Sequence, residues 1–381
     1  MLQRDDDQPV AEAKGFTEIK VVGVGGGGNN TVNRMIEADV RGIDFVAVNS
    51  DSQALTHSLA SHRIQIGRKL TKGLGAGGQA SVGERSAQES VRDIEAELDG
   101  AHMVFVTAGM GGGTGTGAAP IVADIARKQG ALTVGVVTKP FPFEGAKRAR
   151  AAEEGLERMR EAVDALIVVP NERLLGLAGK STTMVQAFRL ADDVLHQGIT
   201  GIADLVIVPG VINLDFADVY AVMHSAGSAL MALGEASGPS RAKIAAQAAV
   251  NSSLLETSIS GAKGVLLNIS GGADLALSEV EEAAEIIREV VDADANIIFG
   301  AVIHPKLLGQ FKITLIATGF DGSYSPQARK DHRAAAPAAM PPPGRPAPSA
   351  PLPSRASAAD APRPRPTPAE LDIPTFLRRR G

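Results

Sequence analysis

The chain has 381 residues, of which 44% are apolar, and this length predicts two ordinary domains with additional tails. Its net charge of −5 and its 3% aromatic content argue against a surface that binds nucleic acid. It contains no cysteine, which excludes disulfide bonds and thiolate metal sites. No apolar run approaches the roughly 18 residues of a membrane span, so we expect no direct membrane span.

The first half of the chain alternates between strand and helix patterns. After an N-terminal arm over residues 1–17 that we expect to be disordered, short β-branched runs are separated by longer helical patterns up to about residue 170. This alternation predicts an α/β fold with a mostly parallel sheet covered on both faces, whose ligands bind at the carboxyl ends of the strands. The predicted strands are Ile19–Val24, Phe45–Val48, Ile64–Ile66, Met103–Val106, Leu132–Val137 and Leu166–Val169, and the predicted helices are Asn30–Asp39, Val82–Leu98, Ala118–Lys128 and Ala146–Ala162.

The second half predicts a smaller α+β domain. A long helical stretch over Thr182–Val208, which we expect to be broken at Gly198 and Gly201, would bridge the two domains. Residues 321–369 are rich in proline and alanine, and such a linker cannot bury enough apolar surface to fold. The further predicted helices are Val219–Ser225, Ala242–Val250 and Val280–Val291, and the further strands are Val265–Ile269, Ile297–Ile303 and Ile313–Thr318.

The most informative stretch of the sequence is residues 109–117, which read Gly-Met-Gly-Gly-Gly-Thr-Gly-Thr-Gly. We call it the second glycine segment, because a first glycine-rich segment precedes it in the chain. It lies between the predicted strand Met103–Val106 and a predicted helix, a position that does not fit a flexible linker. Glycines there let many backbone N–H groups approach an anion, assisted by the amino terminus of the following helix. The stretch therefore predicts a binding site for a phosphate chain.

An earlier glycine segment leaves a second interpretation open. Gly23–Asn30 matches Gly-x-Gly-x-x-Gly after a strand and before a helix, and Asp51 follows the next strand. Taken alone, this pattern indicates a dinucleotide site and hence a nicotinamide-dependent oxidoreductase. That alternative does not explain residues 109–117, and no matching catalytic constellation is evident. Two phosphate-binding segments on one sheet favour a nucleoside triphosphate.

Residues 111–117 also resemble the signature of the tubulin/FtsZ family of GTPases. The resemblance extends from about residue 19 to residue 320 and includes the last dozen residues, while the Pro-rich linker has no match. Agreement of several motifs in order and spacing makes coincidence implausible. Those motifs are Gly23–Asn30, Ala47–Asp51, Gly73–Gly77, Thr107–Pro120, Lys139–Gly145, Asn213–Val219 and the terminal peptide.

The resemblance implies which residues contact the nucleotide phosphates. The first glycine segment and the second would hold the phosphates through backbone N–H groups and hydroxyls, and a third segment would approach the γ-phosphate. Those residues are Gly26, Gly27, Gly28, Asn29 and Asn30; then Gly112, Gly113, Thr114, Gly115, Thr116 and Gly117; then Gly75, Ala76 and Gly77. The sequence departs from the family at Gly77–Ser81, where Ala-Asn-Pro usually follows the glycine, which puts filament stability and hydrolysis rate in doubt.

Four further residues are implied to contact the nucleoside. Glu144 would accept hydrogen bonds from the ribose, Arg148 would lie near the ribose and phosphates, and Phe188 would stack on the base. Asp192 would read guanine, because a carboxylate can accept from both N1–H and the exocyclic amine. From the residues alone, the alternatives are a surface ion pair between Glu144 and Arg148, a core Phe188 and a solvated Asp192.

The resemblance further implies an acidic catalytic loop and a partner-binding tail. Asn213, Asp215 and Asp218 would orient a water for attack on the γ-phosphate of the next subunit, although a helix cap is the alternative. The end of the chain would bind division proteins, because apolar residues spaced for one helical face precede a basic end. Its contact residues would be Asp372, Ile373, Pro374, Phe376, Leu377 and Arg378.

Together, these implications predict the activity, location and domain organisation of the protein. It would be a cytoplasmic GTPase that forms head-to-tail filaments at the inner face of the membrane at midcell, binding GTP or GDP and Mg²⁺ without direct protein ligands to the metal. Binding of a monovalent cation stays open, as does a low-turnover structural filament or a specialised paralogue. The expected parts are a GTP-binding domain over 18–181, a bridging helix over 182–208, a C-terminal α+β domain over 209–320, a disordered linker over 321–369 and a partner-binding peptide over 370–381.

Overall fold

A continuous sheet organises the fold. The computed structural model describes residues 17–177, 182–208, 210–255 and 257–320. Within those residues ten strands lie in the order β3-β2-β1-β4-β5-β6-β7-β10-β8-β9. Their bounds are β1 Ile19–Val24, β2 Asp44–Asn49, β3 His62–Gln65, β4 Met103–Gly109, β5 Leu132–Lys139, β6 Ala165–Pro170, β7 Gly227–Ser237, β8 Gly264–Gly271, β9 Asn296–Ile303 and β10 Gln310–Thr318.

The strand pairing is mostly parallel, which confirms the predicted α/β class. In the sheet order from β3 to β7, each pair of adjacent strands is parallel, and β8 pairs in parallel with β9. Only β10 runs antiparallel to both of its neighbours, β7 and β8. Strand β7 joins the two parts of the sheet, because its start pairs with β6 and most of its length pairs with β10.

Helices cover both faces of the parallel part. One buried apolar cluster packs α1 and α9 against one face, and a second packs α4 to α7 against the other face. A third lies between β8, β10 and the helices α11 and α12. The helix bounds are α1 Gly25–Glu37, α2 Ser52–Thr56, α3 Arg68–Thr71, α4 Ala80–Glu89, α5 Val91–Leu98, α6 Thr114–Lys128, α7 Ala146–Ala162, α8 Asn171–Leu177, α9 Met184–Ile207, α10 Phe216–Met223, α11 Arg241–Val250 and α12 Leu277–Arg288, with 3₁₀ turns at Pro142–Glu144 and Pro305–Leu307.

The long helix α9 is continuous, so the predicted break at two glycines was wrong. A Cβ at Gly198 would lie 2.3 Å from Met231 Sδ on β7, and one at Gly201 would lie 2.6 Å from Thr314 Cγ2 on β10. Both glycines therefore serve close packing of α9 on the sheet. Burial of the apolar face of α9 outweighs the helix propensity lost at each glycine, about 1 kcal/mol.

Two other elements differ from the sequence prediction. The single helix predicted over Val82–Leu98 is two helices that meet at Ser90, whose ψ of 20° is not helical and whose Oγ accepts a hydrogen bond from Gly67 N at 3.2 Å. Strand β7 was missed, because its sequence Gly-Ser-Ala-Leu-Met-Ala-Leu-Gly-Glu-Ala-Ser has no β-branched residue. Its strand conformation comes from pairing with β6 and β10.

Candidate functional site

The first glycine segment, Gly25–Asn30, begins a helix at the carboxyl end of β1. Helix α1 starts at Gly25, immediately after β1, so the expected helix start at Asn30 was wrong. Gly25 has a φ of +71°, which permits this abrupt turn. A Cβ there would lie 2.7 Å from Gly115 N, so the starts of α1 and α6 touch. Two helix amino termini thus meet at one edge of the sheet, where their free N–H groups favour an anion.

The second glycine segment follows β4 in the same way. Helix α6 begins at Thr114, so Thr114–Gly117 form its first turn and only the preceding residues form a loop. Gly111 adopts a φ of +97°, and its N–H donates to Thr116 Oγ1 at 2.8 Å. Thr114 Oγ1 lies 2.7 Å from Ser50 Oγ, which connects this turn to the end of β2. The loop is therefore held in shape by its own hydroxyls.

The third glycine segment, residues 75–78, packs against the second. A Cβ at Gly113 would lie 2.8 Å from the Ala76 Cβ and 3.1 Å from Gly78 N, so the two backbones approach as closely as glycine allows. Gly75, Gly77 and Gly78 all have positive φ. The left-handed backbone at Gly78 favours the extra glycine by which the sequence departs from the family.

The Asn29 side chain braces the first glycine segment from within. It is 3% exposed, and in the amide orientation that satisfies hydrogen bonding its nitrogen donates to the carbonyl oxygens of Gly23 at 3.0 Å and Val48 at 3.2 Å. These bonds satisfy the ends of β1 and β2. The side chain is therefore committed to the protein, whereas Asn30 is exposed.

Three aromatic side chains form a cluster near the start of α9. Phe141 and Phe143 stack with ring centroids 5.1 Å apart, and Phe188 meets Phe141 edge-on at 5.2 Å. Phe141 is buried, but Phe143 is 53% exposed and Phe188 is 40% exposed. Phe188 is therefore not a core residue, and its exposed ring can stack on a planar base. Phe143 carries no signal in the sequence beyond its place beside Glu144.

Asp192 on α9 lies beside α1 rather than in open solvent. Its Oδ1 is 3.4 Å from Thr31 Oγ1, and Arg34 and Asp193 are its nearest charged neighbours, themselves joined at 2.7 Å. Burial raises the pKa of the Asp192 carboxyl to about 7, against the opposing effects of Thr31 and Arg34. A half-buried carboxylate with little protein hydrogen bonding can accept two hydrogen bonds from a ligand.

Glu144, the last residue of the 3₁₀ turn, forms an ion pair with Arg148 in the first turn of α7. Arg148 Nη1 contacts Glu144 Oε2, and the other carboxylate oxygen accepts from Phe141 N at 2.9 Å. The Glu144 side chain is 12% exposed and the Arg148 side chain 57% exposed. A ribose hydroxyl that binds Glu144 would therefore share it with Arg148.

The acidic loop, residues 213–218, has the geometry of a helix cap. Asp215 Oδ1 accepts from Asp218 N at 2.8 Å and begins α10, while Asn213 Oδ1 accepts from Gly210 N. Among the described contacts, neither the Asp215 carboxylate nor the Asp218 carboxylate forms an ion pair with a basic side chain. The capping alternative is thus present in the structure, and it leaves one oxygen of Asp215 free.

The acidic loop lies at the opposite edge of the sheet from the glycine segments. Phe216 meets His102, which precedes β4, with ring centroids 6.4 Å apart. At the other end of α10, His224 Nδ1 contacts Asp164, which precedes β6, at 2.9 Å. These are the amino ends of the strands, whereas the glycine segments lie at their carboxyl ends. A single chain therefore does not bring Asp215 to the candidate nucleotide site.

Other features concern metals, membranes and the tail. Across the described ranges, no group of three histidine or acidic side chains is arranged to hold a metal ion. None of the helices described here is long and apolar enough to cross a membrane. The predicted linker and the predicted contact residues of the tail, 372–378, lie outside the described residues.

The fold and its converging glycine segments define a nucleotide-binding α/β protein with a parallel sheet. The model of the tubulin/FtsZ family GTPase domain matches residues 18–179, and that of the FtsZ family C-terminal domain matches residues 227–321. An FtsZ dimer from M. jannaschii is 44% identical, with a TM-score of 0.78, over 81% of this chain and 91% of that one. CetZ2 from Haloferax volcanii, solved as a GTPγS-bound protofilament, is 21% identical over 79% of this chain and 93% of that one, and its TM-score of 0.67 is evidence for the fold alone.

The chain belongs to the FtsZ family of tubulin-like cell-division proteins. It is a GTPase that binds GTP and GDP, as the recognised motifs implied. Membership decides against the nicotinamide-dependent oxidoreductase that the first glycine segment had left open. Its glycines match a dinucleotide pattern because both kinds of site bring a helix amino terminus to a phosphate.

Proposed function

We propose that this GTPase assembles head to tail and hydrolyses GTP between successive subunits. The observation that carries the proposal is the separation of the acidic loop from the glycine segments by the length of the sheet. If both act on one GTP, they must belong to different copies of the chain. The related M. jannaschii protein is a dimer, which supports self-association of this kind. A head-to-tail contact does not close on itself, so filaments follow.

The geometry of the site supports the following roles within one subunit. The first turns of α1 and α6 and the third glycine segment would hold the phosphates through backbone N–H groups. Phe188 would stack on guanine, Asp192 would accept its two donors, and Glu144 and Arg148 would contact the ribose. Mg²⁺ would be bound by phosphate oxygens and water, because Mg²⁺ commonly keeps several waters beside substrate phosphates.

The acidic loop of the next subunit would complete the site. Asp215 and Asp218, oriented with Asn213, would polarise a water and direct it at the γ-phosphate. In this arrangement the cap on α10 and the catalytic function use the same side chain. One oxygen of Asp215 fixes the helix start, and the other contacts the water.

The filament would form the cytokinetic ring at the division site. Recruitment would depend on membrane-tethering and regulatory division proteins that bind the tail. The contact residues would be Asp372, Ile373, Pro374, Phe376, Leu377 and Arg378. The ring would then lie in the cytoplasm at the inner face of the membrane at midcell.

The test is the dependence of hydrolysis on protein concentration. A shared site predicts that GTP turnover per molecule rises steeply above a threshold and that sedimentable polymer appears at the same threshold. Turnover per molecule that stays constant while polymer forms would refute the shared site. Polymer that forms with GTP and hardly hydrolyses it would favour the low-turnover structural filament.

A further inference from the structure

Thr31 contacts both ends of the candidate nucleotide site. It is fully buried in α1, one turn after Gly27. Its hydroxyl oxygen lies 3.2 Å from the Gly27 carbonyl oxygen, in the first turn of that helix, and 3.4 Å from Asp192 Oδ1 on α9. One side chain therefore connects the phosphate side of the site to the carboxylate on the base side.

The Thr31 hydroxyl has one proton for these two acceptors. When Asp192 is ionised, the hydroxyl can donate to the carboxylate, and a bond to a charged acceptor is the stronger one. When Asp192 is protonated, its O–H can donate to Thr31 Oγ1, whose own proton then serves the Gly27 carbonyl. The contact holds the Asp192 carboxyl in one orientation, and the hydrogen bond from Thr31 lowers the pKa of Asp192, which favours its ionised form.

The groups around Asp192 have opposing effects on its pKa, so the protonated and ionised forms are both populated near pH 7. Burial and the neighbouring charge of Asp193 on α9 disfavour ionisation, while Arg34 on α1 and the Thr31 hydroxyl favour it. Arg34 is shared with Asp193, which it contacts at 2.7 Å. Thr31 is therefore the group whose hydrogen bond is directed at Asp192 itself.

We propose that Thr31 is a positioning residue for guanine recognition, whose hydroxyl hydrogen-bonds to the Asp192 carboxylate and directs it at the base. The inference rests on the proposed role of Asp192 as the residue that reads guanine. A protonated carboxyl cannot accept from both N1–H and the exocyclic amine with equal strength. Guanine specificity then depends on a residue that touches neither base nor phosphate with its hydroxyl.

The sign of the pH dependence follows. With a pKa of about 7 in the free protein and a lower pKa once guanine is bound, binding releases a proton. Affinity should therefore rise as the pH rises through 7 and level off above about pH 8. At pH 6 the ionised fraction is about one in eleven, so affinity should be about tenfold weaker.

The experiment measures GDP binding to the dilute full-length protein between pH 6 and pH 9. The variants are Thr31→Val, which keeps the shape and removes the hydroxyl, and Thr31→Ser, which keeps the hydroxyl. Affinities are expressed as ratios to the unaltered protein at each pH, which cancels the titration of GDP. Thr31→Ala repeats the test if Thr31→Val folds poorly, as judged by thermal unfolding.

Thr31→Val should bind GDP about tenfold more weakly at pH 6.5, the lower end of the effect of one hydrogen bond to a charged group, and nearly normally at pH 9. Thr31→Ser should follow the unaltered protein. A loss that is equal at every pH would mean that Thr31 only fills space, and would overturn the inference. Asp192→Asn distinguishes failure of the proposed function from failure of the inference. If Asp192→Asn binds GDP normally, Asp192 does not read the base and the inference fails with it. If Asp192→Asn binds GDP more weakly but the affinity of Thr31→Val has the pH dependence of the unaltered protein, only the role of Thr31 is refuted.

Discussion

Replacement of Asp215 by asparagine separates the two functions of the acidic loop. Asp215 Oδ1 accepts the Asp218 N–H at 2.8 Å and caps α10. Asparagine caps a helix about as well as aspartate, so Asp215→Asn should leave stability unchanged. Alanine removes the cap, at a cost of about 1 kcal/mol, which corresponds to a fall in Tm of about 2 °C in a domain of this size.

The catalytic hypothesis predicts that the two variants, which differ in stability, lose GTP turnover to a similar extent. Both variants lose the carboxylate that would polarise the water, so both should hydrolyse GTP about 100- to 10 000-fold more slowly. Binding of GTP by the dilute protein should be unchanged in both, because Asp215 lies at the opposite edge of the sheet. The filaments should persist longer, because GTP is not consumed.

The assay measures phosphate release at a concentration where turnover per molecule has levelled off, with sedimentation to verify polymer. Thermal unfolding of the nucleotide-free protein measures the cap separately. Normal turnover by Asp215→Asn, together with a lower Tm for Asp215→Ala, would refute the catalytic role and leave Asp215 as a cap. Loss of GTP binding in dilute Asp215→Asn would contradict the separation of the two sites.

Three further predictions concern other parts of the chain. Gly117→Ala should lower stability by about 1–3 kcal/mol, because its Cβ would lie 2.0 Å from the Ala80 carbonyl oxygen, whereas Gly112→Ala has nothing within 4 Å and should unfold at the normal temperature. Phe188→Ala should weaken GTP binding by about tenfold through loss of stacking, and equal affinity in an equilibrium titration would remove it from the base site. Deletion of residues 371–381 should spare GTPase rate and polymer yield in solution but abolish membrane recruitment in cells, and normal rings would contradict the proposed role of the tail.

Local sequence determined the parts of this protein that short-range rules govern. The glycine-rich stretches after β1 and β4 could be recognised because few other functions require so many small residues between a strand and a helix. The parallel sheet could be predicted because β-branched runs alternate with helical runs along the chain. The exact helix starts at Gly25 and Thr114 were not readable, since glycine has a low helix propensity and enters a helix there because the strand ends and the facing turn fix its backbone.

Tertiary structure decided the rest. Strand β7 carries no strand signal and is ordered by its neighbours, and α9 continues through two glycines because they allow it to pack on the sheet. The distance between the acidic loop and the glycine segments, and hence the case for a shared site, depends on which strand ends each one follows in space. The contact between Thr31 and Asp192 joins residues 161 positions apart, and only the packing of α1 against α9 brings that hydroxyl to that carboxylate.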